Sequence, residues 1–133
     1  MNAMVQCLKA LADENRLRIL MLLRERELCV FEIMGVLGLS QPLVSSHLGV
    51  LRAAGLVDAR REGKRMRYAL TDVGRVGGKR GIVNLVTAAL RDEPVMAGDL
   101  ARLQECDEFR KGEPVCDREA VARFREKKGR KPA

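Results

Sequence analysis

The hydrophobic pattern of the chain changes its period at Gly55, and this change is the strongest constraint on the fold. Before Gly55, Val44, Leu48 and Leu51 recur at the i, i+4, i+7 spacing of a helix with one buried face. Ser40 is a favourable residue to cap the start of that helix, and a glycine readily ends one. The other positions of the helix are small or polar, so we expect an exposed face that fits into a groove.

After this glycine the alternation becomes that of β-strands. Two segments, 57–61 and 65–70, flank a Glu62-Gly63 turn and predict a hairpin, because glycine tolerates the positive φ of a tight turn. Residues 59–80 contain eight basic and two acidic side chains, which gives this segment a large share of the chain's net charge of +7. Such a segment indicates a surface for a polyanion, most often nucleic acid, although a solvated surface hairpin has the same composition.

A short helix from about Val30 to Leu37, ended by Gly38, is predicted just before the helix described above. Two short helices joined by a glycine-bearing turn and followed by a basic hairpin are typical of a winged helix-turn-helix. We therefore predict a mainly α fold with a small β-hairpin, and double-stranded DNA as the partner. The second helix would offer polar side chains to base edges, and the hairpin would offer Arg and Lys to phosphates. The alternative is a small α+β domain that uses these helices only for packing.

Composition disfavours several other classes of protein. The chain is 47% hydrophobic but only 3% aromatic, so it can bury an aliphatic core but lacks the aromatic platforms of many single-strand binders. The longest stretch without a formal charge, residues 33–51, contains polar side chains that disfavour a membrane span. Charges near the amino terminus disfavour a signal peptide, so we expect a soluble, cytoplasmic protein with no membrane partner.

Four segments of the sequence resemble the ArsR–SmtB family of bacterial repressors. They read LKALADENRLRIL at 8–20, ELCVFEI at 27–33, LSQPLVSSHLGVLRAAGLV at 39–57 and RREGKRMRYAL at 60–70. The resemblance implies a winged-helix homodimer that binds operator DNA and leaves it when an inducer, usually a metal or metalloid ion, is bound. It also implies a dimer interface made by the first helix, about 3–12, and the helix after the wing, about 81–91. Residues 1–92 are then the DNA-binding and dimerisation domain, and 93–133 a cysteine-bearing extension with a basic tail.

The resemblance and the charge pattern together give a set of predicted DNA contacts. The family's recognition-helix contacts correspond to Gln41, Ser45 and Ser46 of this sequence. His47 belongs to the same helix, either as a structural residue or as one close to DNA. The predicted wing contacts are the basic residues Arg60, Arg61, Lys64, Arg65 and Arg67.

The sequence lacks the ligands of two types of inducer site that are known in this family. Zinc-sensing members carry Asp, His and Glu ligands on the dimer helix, whereas residues 79–133 of this chain contain no histidine. Arsenic sensors of the enteric type read CVCDLC in the third helix, and the corresponding positions here are Cys29, Phe31 and Met34. Two of the three thiolates of that second type of site are therefore missing.

We predict the inducer site at the cysteines nearer the carboxy terminus. Acidic residues flank Cys106 and Cys116, a polar context that core packing does not require. Soft thiolates prefer soft metals and metalloids, so this pair predicts a site for arsenite or antimonite as inducer. A third thiolate would come from Cys29 or Cys7. The predicted metal ligands are Cys106, Cys116 and Cys29.

Two alternatives use the cysteines differently. In the first, Cys106 and Cys116 form a disulfide or a persulfide and make the repressor a redox switch, although neighbouring carboxylates reduce the thiolate fraction. In the second, the chain is a cysteine-dependent enzyme such as a small reductase. No cysteine has a histidine nearby in the sequence and no glycine-rich phosphate loop is present, so we do not expect an enzyme.

Overall fold

A computed structural model of the chain describes residues 2–71, 78–110 and 118–127. In chain order the elements are α1 (Asn2–Leu11), α2 (Glu14–Glu25), β1 (Leu28–Cys29), α3 (Val30–Leu37), α4 (Gln41–Ala53), β2 (Val57–Glu62), β3 (Arg65–Leu70), α5 (Gly78–Leu90), α6 (Pro94–Arg110) and α7 (Arg118–Lys127). The predicted mainly helical fold with a basic hairpin, a winged helix-turn-helix, is confirmed.

The turn between α3 and α4 has the local chemistry that the sequence predicts. Gly38 ends α3 at φ 71°, in the left-handed region that other residues avoid, and its N–H donates to the Met34 carbonyl at 2.9 Å. Two residues later Ser40 begins α4, and its Oγ accepts the Leu43 N–H at 3.4 Å. The two caps stop one helix and start the next within three residues, which gives the helix-turn-helix its sharp corner.

The wing is part of a three-stranded antiparallel sheet with strand order β1-β3-β2. β2 pairs with β3 from Val57 opposite Leu70 to Glu62 opposite Arg65, and Gly63 at φ 64° makes the turn. β1 adds only two pairs, Leu28 with Tyr68 and Cys29 with Arg67. This third strand is not predicted from the sequence, because two residues are too few to produce an alternating pattern.

The core surrounds α2 and is aliphatic, as expected. Ile19, Leu20 and Leu22 of this helix are fully buried, and α2 packs against α3, α4 and β3. Phe124 of α7 is the aromatic exception, with no exposed surface. Among the described helices none alone is long and apolar enough to cross a membrane, although α3 and α4 reach that length and composition together across a bend of 115°.

The carboxy-terminal helices share this core. α6 packs against α2 and α3, and α7 packs against α3. Leu103, Cys106, Val121 and Phe124 belong to the same hydrophobic cluster as the buried residues of α2. The predicted domain boundary at residue 93 falls between α5 and α6, and the helices that follow it lie directly on the helix-turn-helix.

Candidate nucleic-acid interface and thiol site

The exposed face of α4 is the first part of the candidate nucleic-acid interface. Val44, Leu48 and Leu51 face the core and are at most 1% exposed. Ser45 and Ser46 are exposed, and Gln41 is half-buried at the start of the helix. Short hydroxyl side chains on an exposed helix allow close approach to base edges, and contact of these residues with DNA stays a prediction.

His47 lies on the buried side of α4, although the sequence analysis includes it among the DNA contacts. It follows Val44 by three residues and therefore shares the buried stripe, and it is 8% exposed. Its Nδ1 is 3.4 Å from a guanidinium nitrogen of Arg16, and its Nε2 is 3.9 Å from Asp13 Oδ1. His47 thus joins α4 to the start of α2, which fits a structural role.

Asp13 is the N-cap of α2, and its Oδ1 accepts the Arg16 N–H at 3.1 Å. Burial works to raise the pKa of Asp13, but the hydrogen bond from Arg16 and the nearby charges of His47 and Arg16 outweigh it. The pKa of Asp13 therefore lies below its usual value. This cap connects the amino-terminal helices to the base of the recognition helix.

Replacing Asp13 by Ala is expected to lower the free energy of unfolding by about 1 kcal/mol near neutral pH, because α2 loses its cap. Since the pKa is lower in the folded state, the carboxylate's contribution is complete above the unfolded pKa of about 4 and disappears as the pH falls through the folded pKa. The difference in unfolding free energy between wild type and variant, measured with urea, should therefore become smaller in acid, where only the weaker cap of the neutral carboxyl is left. Asp13→Asn, which keeps a cap without the charge, is the control. A difference that persists unchanged in strong acid contradicts the assignment.

The five predicted wing cations divide into two groups. Arg60 is 2.9 Å from Glu27 Oε2 and 3.6 Å from Glu62 Oε2, and Arg67 Nε is 2.7 Å from Glu62 Oε2. These pairs depend on the strand register, so the sequence alone could not reveal them. Arg60 and Arg67 therefore form ion pairs within the sheet and with the segment that precedes β1.

The other three wing cations lie at the tip of the hairpin. Arg61, Lys64 and Arg65 are exposed, and the Arg61 Nε donates to the Gly63 carbonyl at 3.3 Å. Within the part of the chain that the structure describes, none of the three takes part in an ion pair shorter than 4.0 Å. The tip therefore presents cations that are available to phosphate groups.

Cys29 occupies the N-cap position of α3, at the point where β1 ends. It is 2% exposed, its N–H donates to Glu32 Oε1 at 3.1 Å, and its sulfur is disulfide-bonded. Cys7 and Cys106 are both fully buried. Cys116 lies outside the described residues.

A cluster of charges surrounds the amino-terminal end of α3. Glu32 is fully buried, and its Oε2 accepts from Arg26 at 2.9 Å, while Arg67 lies 4.0 Å from its Oε1. Arg26 also bonds to Asp107 of α6. Burial works to lower the pKa of Arg26, but the carboxylates of Glu32 and Asp107 outweigh it and raise the pKa. The sequence analysis missed this cluster, although the Cys29-x-x-Glu32 spacing resembles that of a capping box.

Cys106 lies in the core, whereas the sequence analysis inferred a position without a packing role from its acidic neighbours. It is fully buried, and it follows the buried Leu103 by three residues on the same face of α6. The next residue, Asp107, points away from the core and reaches Arg26. Adjacent helical residues point about 100° apart, so the neighbours of Cys106 in the sequence do not report its environment.

The described residues alone do not assemble a metal site. In residues 2–71, 78–110 and 118–127 there is no group of three or more His, Cys, Asp or Glu side chains placed to hold a metal ion. A three-thiolate site that includes the predicted ligands Cys29 and Cys106 would need Cys116 as well. Its donor set would be sulfur, which suits a soft metalloid.

A helix-turn-helix with a polar exposed helix, followed by a wing with basic residues at its tip, defines a winged helix-turn-helix protein of the DNA-binding type. The family described as "Bacterial regulatory protein, arsR family" matches residues 13–59, which span α2 to β2. The chain belongs to the ArsR family of bacterial regulatory proteins.

Curated relatives support this assignment. The chain is 38% identical over 96 residues to the HTH-type transcriptional regulator CmtR of Mycobacterium bovis, an alignment that covers 72% of this chain and 81% of CmtR. It is 47% identical over 68 residues to the arsenical resistance operon repressor of Escherichia coli, which covers 50% of this chain and 58% of that repressor. The chain spans little more than half the length of several of the curated relatives that it matches.

A solved structure shows the same architecture. The homodimeric winged helix-turn-helix DNA-binding domain of Mb0332 from Mycobacterium bovis, described as a possible ArsR-family transcriptional regulator, superposes with a TM-score of 0.59. The two sequences are 32% identical, and the match covers 68% of this chain and 81% of Mb0332. The relation therefore extends across the winged helix and leaves part of the chain outside the match.

Proposed function

We propose that this chain is a transcriptional repressor that binds double-stranded operator DNA as a homodimer and is released when arsenite or antimonite binds its thiols. The observation that carries the DNA-binding part is the exposed hydroxyl face of α4 beside a wing whose tip cations form no ion pair with the other described residues. Ser45 and Ser46 would approach base edges, and Arg61, Lys64 and Arg65 would contact phosphates. Family membership supports the same role.

Replacing Arg65 by Ala is expected to weaken binding to operator and unrelated DNA alike, and to reduce the slope of log affinity against log salt by about one unit. Arg67→Ala is the matched control, since it removes the same charge from the same strand. Arg67 already neutralises Glu62 at 2.7 Å, so its loss should change the slope less. Fluorescence anisotropy over a salt series measures both slopes. Equal slopes for the two variants contradict the division of the wing cations.

The homodimer is proposed to form through α1 and α5. Val5 and Leu8 of α1 are 40% and 51% exposed, and Leu85 of α5 is 71% exposed. Large apolar side chains at this exposure are costly to leave in water on two helices of a small domain. A symmetric interface over these faces would carry two copies of α4 to two half-sites about one helical turn apart.

The inducer site is proposed at Cys29 together with the carboxy-terminal cysteines. Cys29 is disulfide-bonded, so it would act as a ligand only after reduction to the thiol. We propose Cys29 and Cys116, both reduced, as a pair of ligands, and Cys106 as the third thiolate that inorganic As(III) favours. Because Cys106 is fully buried, its use as a ligand would require α6 to move relative to the core.

A redox switch is the second candidate, and the disulfide at Cys29 is the observation that favours it. In this reaction two thiols lose two protons and two electrons to form one disulfide. Hydrogen peroxide, as the oxidant, accepts them and is reduced to two molecules of water. Here the proposed pair is Cys29 with Cys116, whereas the sequence analysis paired Cys106 with Cys116.

Titration of the reduced protein on labelled operator DNA distinguishes the two candidates. Arsenite, antimonite, cadmium, zinc and hydrogen peroxide are added separately, and release is followed by anisotropy. Release by arsenite or antimonite at low thiol-equivalent concentrations supports the metalloid repressor. Release by peroxide alone, reversed by a dithiol reductant, supports the redox switch. A protein that never distinguishes operator from unrelated DNA contradicts both.

A further inference from the structure

Two arginines of the carboxy-terminal helices donate hydrogen bonds to backbone carbonyls near the last turn of α3. The Arg125 guanidinium donates from one nitrogen to the Met34 and Leu39 carbonyls, each at 2.7 Å. Arg102 Nε donates to the Val36 carbonyl at 3.0 Å. We call Arg102 and Arg125 the arginine clasp. Leu39 directly precedes Ser40, the N-cap of α4, so the clasp holds the turn that aims the recognition helix.

The clasp adds donors to carbonyls in the last turn of α3 and in the turn that follows it. The carbonyls of a helix's last turn form the negative end of its dipole, so they attract cationic donors. Here Gly38 donates to Met34, and Arg125 then bridges Met34 to Leu39 across the turn. A single nitrogen bonded to both carbonyls limits how far they can separate.

Arg102 is anchored independently of the turn. It bonds to Asp99, which is fully buried and also receives two bonds from Arg18 of α2, at 2.8 and 2.9 Å. This network ties α6 to α2. Asp99 therefore holds Arg102 in place without any contribution from the turn. Arg125 has no such anchor among the described residues, and its hydrogen bonds go to α3 and to the turn.

The position of Arg125 is costly for the folded protein. The residue is 7% exposed, and its Nε has no acceptor among the described residues. Burial lowers the pKa of its guanidinium. A buried cation that has no carboxylate partner within residues 2–71, 78–110 and 118–127 is unfavourable by itself, so other contacts must offset it. The adjacent Phe124 supplies them, because it is fully buried and lies next to Gly35 of α3.

The packing of Phe124 depends on Gly35. A Cβ atom at Gly35 would stand 3.3 Å from Phe124 Cδ2, which is tighter than ordinary contact. Glycine inside a helix costs about 1 kcal/mol relative to Ala. The glycine in the middle of α3 is thus explained by the close approach of α7. The same approach places Arg125 next to the turn.

We propose that Arg125 is a positioning residue for DNA recognition: by bridging Met34 and Leu39 it sets the α3–α4 turn, so that specific operator binding requires α7 to be docked. The inference rests on the proposed DNA-binding function and adds a part of the chain that lies outside the helix-turn-helix. This role would also couple the carboxy-terminal helices to the orientation of α4, because docking and release of α7 would change the restraint on the turn.

The test compares Arg125→Met with Arg123→Met in the full-length protein. Both variants remove one charge from α7, but Arg123 is exposed, so it controls for charge. Arg125→Met is expected to lose about tenfold in operator affinity, about 1.4 kcal/mol, with affinity for unrelated DNA equal to that of Arg123→Met. Its thermal stability should be unchanged or raised, since apolar replacement of a buried charge is often neutral or stabilising. Loss of affinity without loss of stability is not expected of a merely structural residue.

Hydrogen exchange without DNA keeps this test separate from the proposed function. The Val44 N–H donates to the Ser40 carbonyl at 3.0 Å, the first backbone bond of α4. In Arg125→Met this amide should exchange faster than in Arg123→Met, while the amides of α2 stay protected. If wild type fails to prefer operator but this amide responds, the function is wrong and the positioning role stands.

Two results overturn the positioning role. One is equal operator affinity, and equal exchange at Val44, for Arg125→Met and Arg123→Met. The other is a parallel loss on operator and unrelated DNA, which indicates general destabilisation. Should Arg125→Met fail to fold, Arg125→Lys replaces it, because Lys keeps the charge but not the planar guanidinium. A folded Arg125→Lys protein with faster exchange at Val44 and weaker operator binding supports the proposal, and wild-type values of both overturn it.

Discussion

Leu85→Asp is expected to turn the protein into a monomer and to lower its operator affinity by about a hundredfold or more. Leu85 is the most exposed large apolar side chain of the described residues, on one of the two helices proposed to form the dimer. An aspartate in that interface would bury an unpaired charge from each subunit. A monomer reaches one half-site only and loses the avidity of two linked contacts.

Sedimentation velocity and anisotropy measure the two effects of Leu85→Asp. Gln104→Glu on the exposed side of α6 is the control, because it adds the same charge away from α1 and α5. It should stay dimeric and bind operator within about twofold of wild type, because a single charge far from the DNA contacts acts weakly. Wild-type protein that sediments as a monomer at micromolar concentration rules out the proposed interface.

Cys29→Ser is expected to retain operator binding and to lose release by arsenite. Serine is a favourable N-cap residue, so α3 should keep its start, and the N–H to Glu32 does not depend on the side chain. The coupling that links inducer and DNA in allosteric proteins is typically 1–3 kcal/mol, a 5- to 150-fold change in affinity. This whole change should disappear when the sulfur is removed. Cys116→Ser should give the same result.

Cys7→Ala is the matched control for the thiol experiment. Cys7 lies on α1 and is fully buried, and its replacement removes a sulfur that is not proposed as a ligand. This variant should respond to arsenite like wild type. Cys106→Ser then tests the third ligand: loss of the arsenite response places Cys106 in the site, and a full response removes it. A Cys29→Ser protein that is still released by arsenite contradicts the site.

The recognition helix and the wing could be predicted because their signals are local. Ser40 and Gly38 act on backbone groups within four residues of themselves, and Gly63 acts within its own turn. The burial of His47 could also have been predicted from the sequence, because it lies three residues after Val44 and four before Leu51. A periodic pattern therefore carries more information about a side chain's environment than its chemistry does.

The contacts of the carboxy-terminal helices could not be predicted, because they join residues far apart in the sequence. Arg125 meets Met34 at a separation of 91 residues, and Arg26 meets Asp107 at a separation of 81. The charges in α7 suggest a solvated helix, but Val121 and Phe124, three residues apart, form a buried stripe within it. Which helix covers that stripe depends on tertiary packing, which the sequence pattern does not contain.

The pairing of Cys29 with Arg67 places this cysteine and the wing on neighbouring strands of one sheet. Adjacent strands lie about 4.8 Å apart, so an inducer site at Cys29, as proposed, would be separated from the wing by one strand spacing. Coupling between that site and the wing would then involve a single residue pair of the sheet. The outer helices of such a regulator could supply different thiols, and so admit a different inducer, only as long as an equivalent of α7 still holds the α3–α4 turn.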